Sequence, residues 1–493
     1  MPRTQLTMWK TLFAHHPTHE PTLQGRLRTM IVRSILDGVL TPGTVLPSQR
    51  ALSQLLGISR NTVTLTYQHL ADQAYLEARP RSGYRVSAHA AAHPVAGASA
   101  QATGQAPDWG RRLPRKLWAL PHIRKPTNWQ DYPYPFIYGQ FDASLFPARE
   151  WRECVSGALQ ATAVRDWAVD RIDQDDDRLV EQIQQRILPA RGIWVSKEEI
   201  LVTAGAQQAN YILAEILFSP DTELGLEEPG YPDVRNIYCS RGAVIRPLKV
   251  GDEGLHLQGP FRDYLYITPS HQCPTTVTMP EVRRRALLDM AIQDDFVIIE
   301  DDYDSELNFD SPPSRALKSL DPGGRVIYVG SLSKTIAPGL RVGFMVADPA
   351  LIREARAARR LMMRHPPTNN ERALALFLSL GHHDMLIRRL TKAYDRRLAV
   401  LGDSVRRHLP DWHFTAPGGG SALWVRGPVG LSMDRVAQAA LTEGVVIEPG
   451  GIFFSKPRSQ FAQRHARLGV ASIQESLIPA GIQRLAQVVR GLG

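Results

Sequence analysis

The sequence predicts a multidomain protein, with a small, mainly helical head that contains a helix-turn-helix and a wing, and a larger α/β body. Three observations lead to this fold class. Two short helices and a hairpin pattern follow one another before residue 88. A stretch without charged residues comes next. Beyond it, short apolar runs alternate with helical stretches and end in polar, glycine-containing segments, which is the pattern of a mainly parallel sheet.

Length, hydropathy and cysteine content exclude several classes of protein. The chain has 493 residues, of which 43% are hydrophobic and 22% charged, as in ordinary globular proteins. No apolar run reaches the ~18–20 residues that cross a bilayer, and the polar start MPRTQLTMWK lacks the apolar core of a secretory signal. A disulfide framework or a cysteine-rich zinc site is excluded by the wide spacing of Cys154, Cys239 and Cys273. We therefore expect a cytoplasmic protein without a membrane span or metal centre.

The positive charge is concentrated in the head. The chain has a net charge of +9, and residues 1–90 contribute +6 of it, from ten Lys/Arg and four Asp/Glu. A basic domain on a near-neutral body is the distribution expected when one domain binds a polyanion such as DNA. A basic surface that only aids solubility would give the same charge, so this observation alone leaves both interpretations open.

An uncharged stretch, SAHAAAHPVAGASAQATGQAP at 87–107, divides the head from the body. It is rich in alanine, glycine and serine and shows no core-forming period. A helix here would be interrupted by Pro94, Gly97 and Gly104. We therefore predict a flexible linker. The predicted parts are a head at 20–88, a linker at 89–108 and a body at 109–493.

Three helices and a hairpin are predicted in the head. Leucine, methionine and isoleucine at helical spacing predict the first helix over 22–38. Ser48 is the predicted N-cap of a second helix, which Gly57 ends, and Ser59 is the predicted N-cap of a third. The inward face of the third helix is predicted to carry Val63, Tyr67 and Leu70. The segment AYLEARPRSGYRV at 74–86 predicts a two-stranded hairpin, or wing.

The second and third helices form a predicted helix-turn-helix. A recognition helix enters the major groove with its first residues toward the bases, and here those residues are Ser59, Arg60, Asn61 and Thr62. Arginine suits guanine and asparagine suits adenine, while serine and threonine reach phosphates or bases. Two short helices that merely pack together would give the same local pattern.

The order of residues in this segment is more specific. The pattern L-P-S-x-R-x-L-x-x-x-L-G-x-S-R-x-T-V-x-x-x-Y-x-x-L resembles the GntR family of winged-helix DNA-binding domains, over about 20–88. The resemblance implies DNA contacts from Arg50, Arg60 and the wing tip, which is formed by Arg81, Ser82 and Gly83. Where the family often has a second basic residue in the helix, this chain has Thr64.

Three segments of the body share one design, a short β-branched run followed by polar residues. ILVT at 200–203 leads into AGAQQ, FVIIE at 296–300 into DDYDSEL, and RVIYVG at 325–330 into SLSKTIAPGLR. Ligands of parallel sheets bind outside the carboxyl ends of the strands. The sequence therefore predicts one site that combines a helix start, an acidic segment with a tyrosine, and a cluster of serine, lysine and arginine.

The combination predicts pyridoxal 5′-phosphate (PLP) as the ligand of this site. Free N–H groups at a helix start, a hydroxyl and a guanidinium suit a phosphate, and the candidates are Gly205, Ala206, Gln207, Ser331 and Arg341. Lys334, close to a strand end, is a candidate amine nucleophile. Asp301 can keep a pyridine nitrogen protonated. Each feature alone is common on protein surfaces, so the prediction depends on their joint order and spacing.

The segment S-L-S-K-T-I-A-P-G-L-R resembles the lysine signature of class I aminotransferases. These are PLP proteins of fold type I with a small α+β C-terminal subdomain. The resemblance extends over about 130–490 and includes EEPGYPD at 227–233 and EDDYDSEL at 300–307.

Carried over to this sequence, the resemblance implies a role for each site residue. Lys334 would form the Schiff base with PLP, and Asp301 would face the pyridine nitrogen. Tyr303 would bond the ring hydroxyl, and Tyr231 would lie against the ring. Arg467, in RLGVAS, falls where aminotransferases bind the α-carboxylate of the substrate, so we expect it to bind an effector. The phosphate would be bound by Gly205, Ala206, Gln207, Ser331 and Arg341.

Two segments depart from the aminotransferase pattern. HQCPTT at 271–276 replaces the family's N-P-T-G motif, with Cys273 where the family has asparagine. VDRIDQDDDRL at 169–179 lacks both the tyrosine and the glycine of the segment that, in the family, reaches the phosphate of the neighbouring subunit. Both departures weigh against efficient repeated transamination and leave aldimine formation possible.

A GntR-like head linked to an aminotransferase-like body resembles the MocR subfamily of bacterial transcription regulators, as do the segments TPSHQCP and EDDYDSEL. The resemblance implies a homodimer that binds double-stranded operator DNA and senses a small amino compound through an external aldimine with PLP. The alternatives are a catalytically active aminotransferase with a fused DNA-binding domain and a scaffold that senses PLP alone. The effector stays open, with taurine, an ectoine-derived diamino acid or another amino acid as candidates. The operator and the sign of regulation stay open too.

Overall fold

A computed structural model describes residues 3–15, 20–79, 83–88, 90, 107–309 and 314–492. The chain divides into two compact units, residues 1–115 and 116–493. Their secondary structure is the predicted kind, with a helical head followed by an α/β body. The predicted boundaries at 20–88, 89–108 and 109–493 stay a prediction, because most of the linker lies outside the described residues.

The head unit is mainly helical. Its elements are α1 (Arg3–His15), α2 (Leu23–Leu36), α3 (Gln49–Leu56), α4 (Arg60–Asp72), α5 (Trp109–Arg112) and an antiparallel hairpin of β1 (Leu76–Arg79) and β2 (Gly83–Val86). Ser48 caps α3 and Ser59 caps α4, because their hydroxyl oxygens accept the N–H groups of Ala51 at 3.2 Å and Thr62 at 3.0 Å. Gly57 ends α3 in the left-handed region, with φ of 66°.

One compact core joins the helices of the head. The side chains of Val63, Tyr67 and Leu70 are fully buried, as predicted, and the Tyr67 hydroxyl donates to the Pro47 carbonyl at 3.0 Å. Helix α1 was not predicted, since the sequence around it was interpreted only as a polar start. Its Trp9 is 2% exposed and belongs to the same apolar core.

The body is built around an eight-stranded sheet. The strands of the body are β3 (Tyr134–Pro135), β4 (Ile200–Thr203), β5 (Glu223–Glu228), β6 (Val244–Gly251), β7 (Gly254–Leu255), β8 (Tyr264–Ile267), β9 (Val297–Asp302), β10 (Val326–Ser331), β11 (Gly343–Val346), β12 (Ala422–Arg426), β13 (Val445–Val446), β14 (Glu448–Pro449) and β15 (His465–Gly469). The sheet has the order β4-β11-β10-β9-β8-β5-β6-β7. Strands β10, β9, β8, β5 and β6 are parallel, whereas β11 runs antiparallel to both β10 and β4.

Helices cover both faces of this sheet. The helices of the body are α6 (Ala148–Ala158), α7 (Ala161–Trp167), α8 (Asp177–Gln182), α9 (Leu188–Ala190), α10 (Ala206–Leu217), α11 (Pro232–Ser240), α12 (Glu281–Gln293), α13 (Pro349–Met363), α14 (Thr368–Ser379), α15 (His382–His408), α16 (Met433–Thr442), α17 (Gln460–Gln463) and α18 (Ile478–Leu492). A π turn, Ile183–Ile187, joins α8 to α9. No helix in the described ranges is long and apolar enough to cross a membrane.

Alternating residues of the strands belong to different apolar clusters. In β4, Ile200 and Val202 pack into one cluster with α14 and α15, and Leu201 packs into another with α10 and α13. A sheet buried on both faces explains why its strands read as continuous β-branched runs. Strands β4, β9 and β10 point the same way, so their carboxyl ends lie at one edge of the sheet.

A smaller subdomain completes the body, as predicted. Its three-stranded antiparallel sheet has the order β12-β15-β14, and β13 pairs with β3. The long helix α15 packs against α18 and connects this part to the large sheet. Strand β15 is the element that positions Arg467.

Candidate cofactor site and DNA interface

A cavity of about 170 Å³ opens at the carboxyl edge of the large sheet. Among the residues predicted for the cofactor and the effector, those that line it are Ala206, Gln207, Tyr231, Asp301, Tyr303, Ser331, Lys334, Arg341 and Arg467. Gly205 immediately precedes the first of these. The fold therefore brings the whole predicted set to one place, from segments that are far apart along the chain.

One end of the cavity is rich in N–H groups and cationic. Gly205 caps α10 with φ of 90°, and the first N–H groups of that helix have no acceptor within it. The guanidinium of Arg341 lies against this turn, with Nη2 donating to the Ala204 carbonyl at 2.8 Å. The φ of this residue favours glycine, and a Cβ there would lie 2.9 Å from Arg341 Nη2 and push that side chain away from the turn. This end suits a phosphate.

The carboxylate of Asp301 lies at the buried end of β9. Its Oδ2 accepts hydrogen bonds from Tyr266 Oη at 2.7 Å and from Asn210 Nδ2 at 3.1 Å. Its Oδ1 is buried and has no donor among the described residues. Burial raises the pKa of Asp301 to about 6, although both hydrogen bonds lower it. A carboxylate that is fixed through one oxygen and free at the other can accept one more N–H, such as that of a protonated pyridine.

Lys334 lies in the turn after β10, which Ser333 fixes. The Ser333 hydroxyl donates to the Val342 carbonyl at 3.0 Å and accepts the Val342 N–H at 2.9 Å. Lys334 Nζ is 4.9 Å from the centroid of the Tyr138 ring. Burial, followed by the Arg467 guanidinium, lowers the pKa of Lys334. A larger neutral fraction makes this amine a better nucleophile toward a carbonyl carbon.

Three tyrosine rings form the apolar walls of the cavity. Tyr231 begins α11, and its hydroxyl donates to Asp233 Oδ2 at 3.0 Å. The rings of Tyr303 and Tyr138 meet edge to face, with 6.4 Å between their centroids. The hydroxyl of Tyr138 is 3.5 Å from Asp304 Oδ2, to which it donates. These walls suit a flat aromatic ligand.

Arg467 is buried and already paired on one side. Its Nε donates to Glu448 Oε2 at 2.8 Å, and Lys125 Nζ lies 3.1 Å from Glu448 Oε1. The guanidinium carbon is 4.1 Å from the centroid of the Tyr138 ring and 4.7 Å from that of Phe453. Burial lowers the pKa of Arg467, but Glu448 and other nearby groups together raise it by more than burial lowers it, so the guanidinium stays charged. Because Glu448 takes Nε, the terminal nitrogens remain for the anion of a ligand.

Cys273, the departure from the aminotransferase pattern, lies inside the cavity. Its N–H donates to Thr268 Oγ1 at 3.0 Å, and its Sγ is 4.0 Å from Arg467 Nη1. Burial raises the pKa of the Cys273 thiol to about 11. The thiol is therefore neutral and only a weak hydrogen-bond donor, so it cannot replace an asparagine amide.

The second departure, the segment 169–179, is fixed by buried ion pairs within the chain. Asp175 pairs with Arg356 at 2.7 Å and also with Arg359. Asp176 pairs with Arg372 at 2.9 Å. All of this segment is described, and none of it lines the cofactor cavity of its own chain.

The site residues that were not predicted from the sequence include Tyr138, Asn210, Tyr266 and Glu448. Asn210 lies four residues after Ala206 in the same helix, so helical spacing was a usable signal for it. Tyr266 lies within an apolar strand, where nothing distinguishes it from a core residue. Tyr138 lies in the loop after β3 and Glu448 in the short strand β14, and neither segment carries a motif.

The chemistry of these residues fits PLP. Arg341 and the helix start suit the phosphate, the free Oδ1 of Asp301 suits the ring nitrogen, and Lys334 supplies the amine. The individual roles assigned from the sequence stay predictions, because the structure shows the residues and not the ligand contacts.

The candidate DNA interface is the exposed start of α4. The side chains of Arg60 and Asn61 are exposed, and Arg50 is exposed on α3. The hydroxyls of Ser59 and Thr62 are 2.8 Å apart and both take part in the helix cap, so they are less available to DNA than the sequence implies. In the wing, Gly83 is exposed with φ of 81°. The predicted contacts at Arg81 and Ser82 lie outside the described residues.

Comparisons with known proteins agree with both parts of the chain. The family "Bacterial regulatory proteins, gntR family" matches residues 23–86, and the family "Aminotransferase class I and II" matches residues 172–485. The chain is 41% identical over 480 residues to "HTH-type transcriptional regulator TauR" of Rhodobacter capsulatus, which spans 96% of this chain and 98% of the relative. It is 33% identical over 460 residues to "Probable rhizopine catabolism regulatory protein MocR" of Rhizobium meliloti, which spans 92% of this chain and 90% of the relative.

Solved structures similar to this chain are aminotransferases. A kynurenine aminotransferase of Pyrococcus horikoshii has a TM-score of 0.71 at 26% identity, over 78% of this chain and 98% of that protein. The α-aminoadipate aminotransferase LysN of Thermus thermophilus has a TM-score of 0.70 at 26% identity, with the same coverage. The fold class predicted from the sequence is confirmed. The chain therefore belongs to the GntR-family transcription regulators of the MocR type, in which a helix-turn-helix domain is fused to an aminotransferase class I and II domain.

Proposed function

We propose that this PLP-dependent transcription regulator binds operator DNA through its head and senses a small amino compound at Lys334 in its body. The observation that carries the proposal is the single cavity that combines Lys334, the half-free carboxylate of Asp301 and the cationic turn of Gly205 and Arg341. Phosphate, ring nitrogen and amine chemistry thus meet in one place. The relatives named above are regulators with the same two parts.

Bound PLP supplies a carbonyl carbon that condenses reversibly with primary amines. The residues of this chain do the rest. Lys334 offers an amine whose pKa is lowered by burial and by Arg467. The free Oδ1 of Asp301 would accept the N–H of a protonated ring nitrogen. Lys334 would supply the amine at this position, and the charge and hydrogen bonding of its turn would differ between a bonded and a released Nζ.

Arg467 supports an effector that carries an anionic group in addition to its amine. The guanidinium is charged and lines the cavity, and in the described part of the chain its terminal nitrogens make only the weak contact of Nη1 with Cys273 Sγ at 4.0 Å. A carboxylate or a sulfonate would form a charge-assisted pair with it. The effector class is therefore a small amino acid or aminosulfonate.

Cys273 favours a regulator over an enzyme. An efficient aminotransferase needs groups that promote the steps after the amine has bound, and the neutral thiol of Cys273 is a poor hydrogen-bond donor at that place. A slow onward reaction lets the effector persist on the protein. The second candidate, a working aminotransferase with a fused DNA-binding domain, is favoured by the likeness of the body to solved aminotransferases.

We further propose that the protein is a homodimer, as in the aminotransferases that the body resembles. Large apolar side chains of the body are exposed in the single chain, with Leu361 at 89% and Trp118 at 82%. Covering these side chains in an interface would remove apolar surface from water. Two heads would then contact two half-sites of an operator. Because operator DNA lies in the bacterial cytoplasm, the protein would act there.

The proposal is tested by trapping the lysine and by following DNA binding in parallel. Borohydride reduction of the purified protein should fix PLP on Lys334, and mass spectrometry should locate the adduct there. The matched control is Lys318→Ala, because Lys318 lies outside the cavity; this variant should trap PLP as the wild type does. An adduct on any other residue would refute the cofactor assignment.

Operator binding is then measured by fluorescence anisotropy while amino compounds are titrated. A change in affinity without release of a keto acid supports the regulator. Repeated keto-acid release would instead establish the aminotransferase. A response to PLP alone, with no effect of any amine, would identify a sensor of the cofactor.

A further inference from the structure

A second cavity, of about 330 Å³, adjoins the cofactor cavity and shares walls with it. Tyr303 and Ser331 line both cavities. Leu332 and Thr335, on either side of Lys334 in its turn, line the second. The proposed function leaves this cavity without a role.

The inner wall of the second cavity is electrically balanced. Arg191 Nε lies 2.8 Å from Asp302 Oδ2, and Arg191 Nη2 donates to Ser270 Oγ at 2.8 Å. The Tyr328 hydroxyl also donates to Asp302 Oδ2, at 2.7 Å. Asp302 Oδ1 is buried and has no donor in the described ranges, but the charges of Asp302 and Arg191 offset each other, so the wall does not by itself select a charged ligand.

A side wall leaves buried polar atoms without hydrogen bonds. His383 is 3% exposed, and its Nε2 is 3.5 Å from Glu306 Oε1, with no hydrogen bond to any described residue. Glu306 Oε2 is buried and also has no donor in the described ranges. Burial lowers the pKa of His383, but Glu306 and Asp384 raise it more, to about 9. The charged imidazole of His383 partly offsets the charge of the Glu306 carboxylate. Oε2 of Glu306 remains an acceptor without a donor in the described ranges.

The mouth of the cavity carries two unpaired cations. Arg186 and Arg388 are exposed and line the opening. Arg186 Nη2 donates to the Ser379 carbonyl at 3.2 Å. Neither guanidinium lies within ion-pair distance of a carboxylate in the described part of the chain, although His383 and, less strongly, both arginines lower the pKa of Asp384 at the same mouth. Both guanidinium groups therefore keep nitrogens that can bind an anion.

We propose that this cavity binds a small amino carboxylate, with its carboxylate on Arg186 and Arg388 and its ammonium on Glu306. A simple anion would leave Glu306 Oε2 buried without a partner, and a simple cation would meet two arginines at the mouth. A zwitterion satisfies both ends. This site is separate from Lys334 and needs no covalent bond to a cofactor.

Binding at the second site affects the first through the shared walls. Ser331, Leu332 and Thr335 belong to the segment that contains Lys334. Tyr303 lines both cavities. A ligand that favours one position of this segment changes the affinity of the cofactor cavity for its amine, and the effect is reciprocal. This coupling, unlike the binding itself, rests on the proposed function of Lys334.

N,N-dimethylglycine is the probe of choice, because its tertiary ammonium can donate one N–H but cannot condense with PLP. Calorimetry on the PLP-loaded protein should show binding of this probe. We expect Arg388→Gln and Glu306→Gln each to weaken the binding by about tenfold or more. Arg396→Gln, an exposed arginine further along the same helix, is the matched control and should bind like the wild type.

Three outcomes would overturn the proposal. The probe does not bind the wild type at millimolar concentration, or both cavity variants bind it as well as the control does. Acetate binds as tightly as the probe and is insensitive to Glu306→Gln, which would make the site a plain anion site. Borohydride-reduced protein, whose lysine is blocked, should still bind the probe, so a failure of PLP trapping and a failure of this site are distinguishable.

Discussion

Replacing Arg467 with alanine tests how the effector is recognised. The guanidinium keeps only its terminal nitrogens for a ligand, because Nε donates to Glu448 at 2.8 Å. A hydrogen bond to a charged group contributes about 1.5–3 kcal/mol net. Loss of this pair should therefore raise the effector concentration for half-maximal response by roughly 10- to 150-fold.

The same substitution should leave the protein folded. Removing one member of a buried ion pair is costly, about 3–5 kcal/mol, when the remaining charge has no partner. Here Glu448 retains Lys125 at 3.1 Å and the Tyr138 N–H at 3.3 Å. Glu448→Ala is different, since it strands the buried guanidinium of Arg467 without a carboxylate. Chemical denaturation should show a larger loss of stability for Glu448→Ala than for Arg467→Ala.

The assay follows operator binding by fluorescence anisotropy during effector titration, with PLP content checked by absorbance. Arg467→Ala should keep the cofactor and bind the operator without effector. Arg467→Lys keeps the charge without the fork and should respond at intermediate concentrations. A response of Arg467→Ala at wild-type concentrations would show that Arg467 is structural and that the anion of the effector is bound elsewhere.

Three further predictions concern the cofactor, the DNA and the assembly. Because burial raises the pKa of Asp301 to about 6, PLP affinity measured by fluorescence titration should fall as the pH drops through that value and the carboxyl becomes neutral. Asp301→Asn should remove this pH dependence. A wild-type affinity that does not change with pH would contradict the role of Asp301. Arg60→Ala should cost on the order of 1–3 kcal/mol at the specific operator, whereas Arg50→Ala should weaken binding to all sequences and flatten its salt dependence; equal losses on operator and random DNA would make Arg60 a phosphate contact. Sedimentation should show a dimer at micromolar concentration, and a monomer with full PLP occupancy would refute the shared interface.

The sequence predicted the cofactor cavity well because polar residues follow buried strands. Asp301 and Lys334 stand at the carboxyl ends of apolar runs, where a parallel sheet brings them together whatever the details of packing. The same logic located the helix start at Gly205. In the head, capping serines and a glycine marked helix ends, so α3 begins and ends where predicted and α4 begins where predicted.

The partners of these residues could not be predicted, because they depend on packing between distant segments. Tyr266 reaches Asp301 from a neighbouring strand and looks like any core residue in the sequence. Glu448 meets Arg467 only because β14 and β15 are adjacent in the small sheet. Helix α1 was missed for a related reason, since Trp9 acquires its burial from the tertiary core of the head rather than from a local pattern.

The reversed direction of β11 has a consequence for how this site can change over evolution. Because β10 and β11 are antiparallel neighbours, one short connection, residues 332–342, joins them. That connection bears both Lys334 and Arg341, and Ser333 closes it on Val342. The amine of Lys334 and the guanidinium of Arg341 are thus supplied by one short segment of the chain. An insertion or deletion within it would therefore disturb Lys334 or Arg341, whereas substitutions at Tyr138 and Tyr231, which lie on other segments, can reshape the cavity for a different amine without touching this connection.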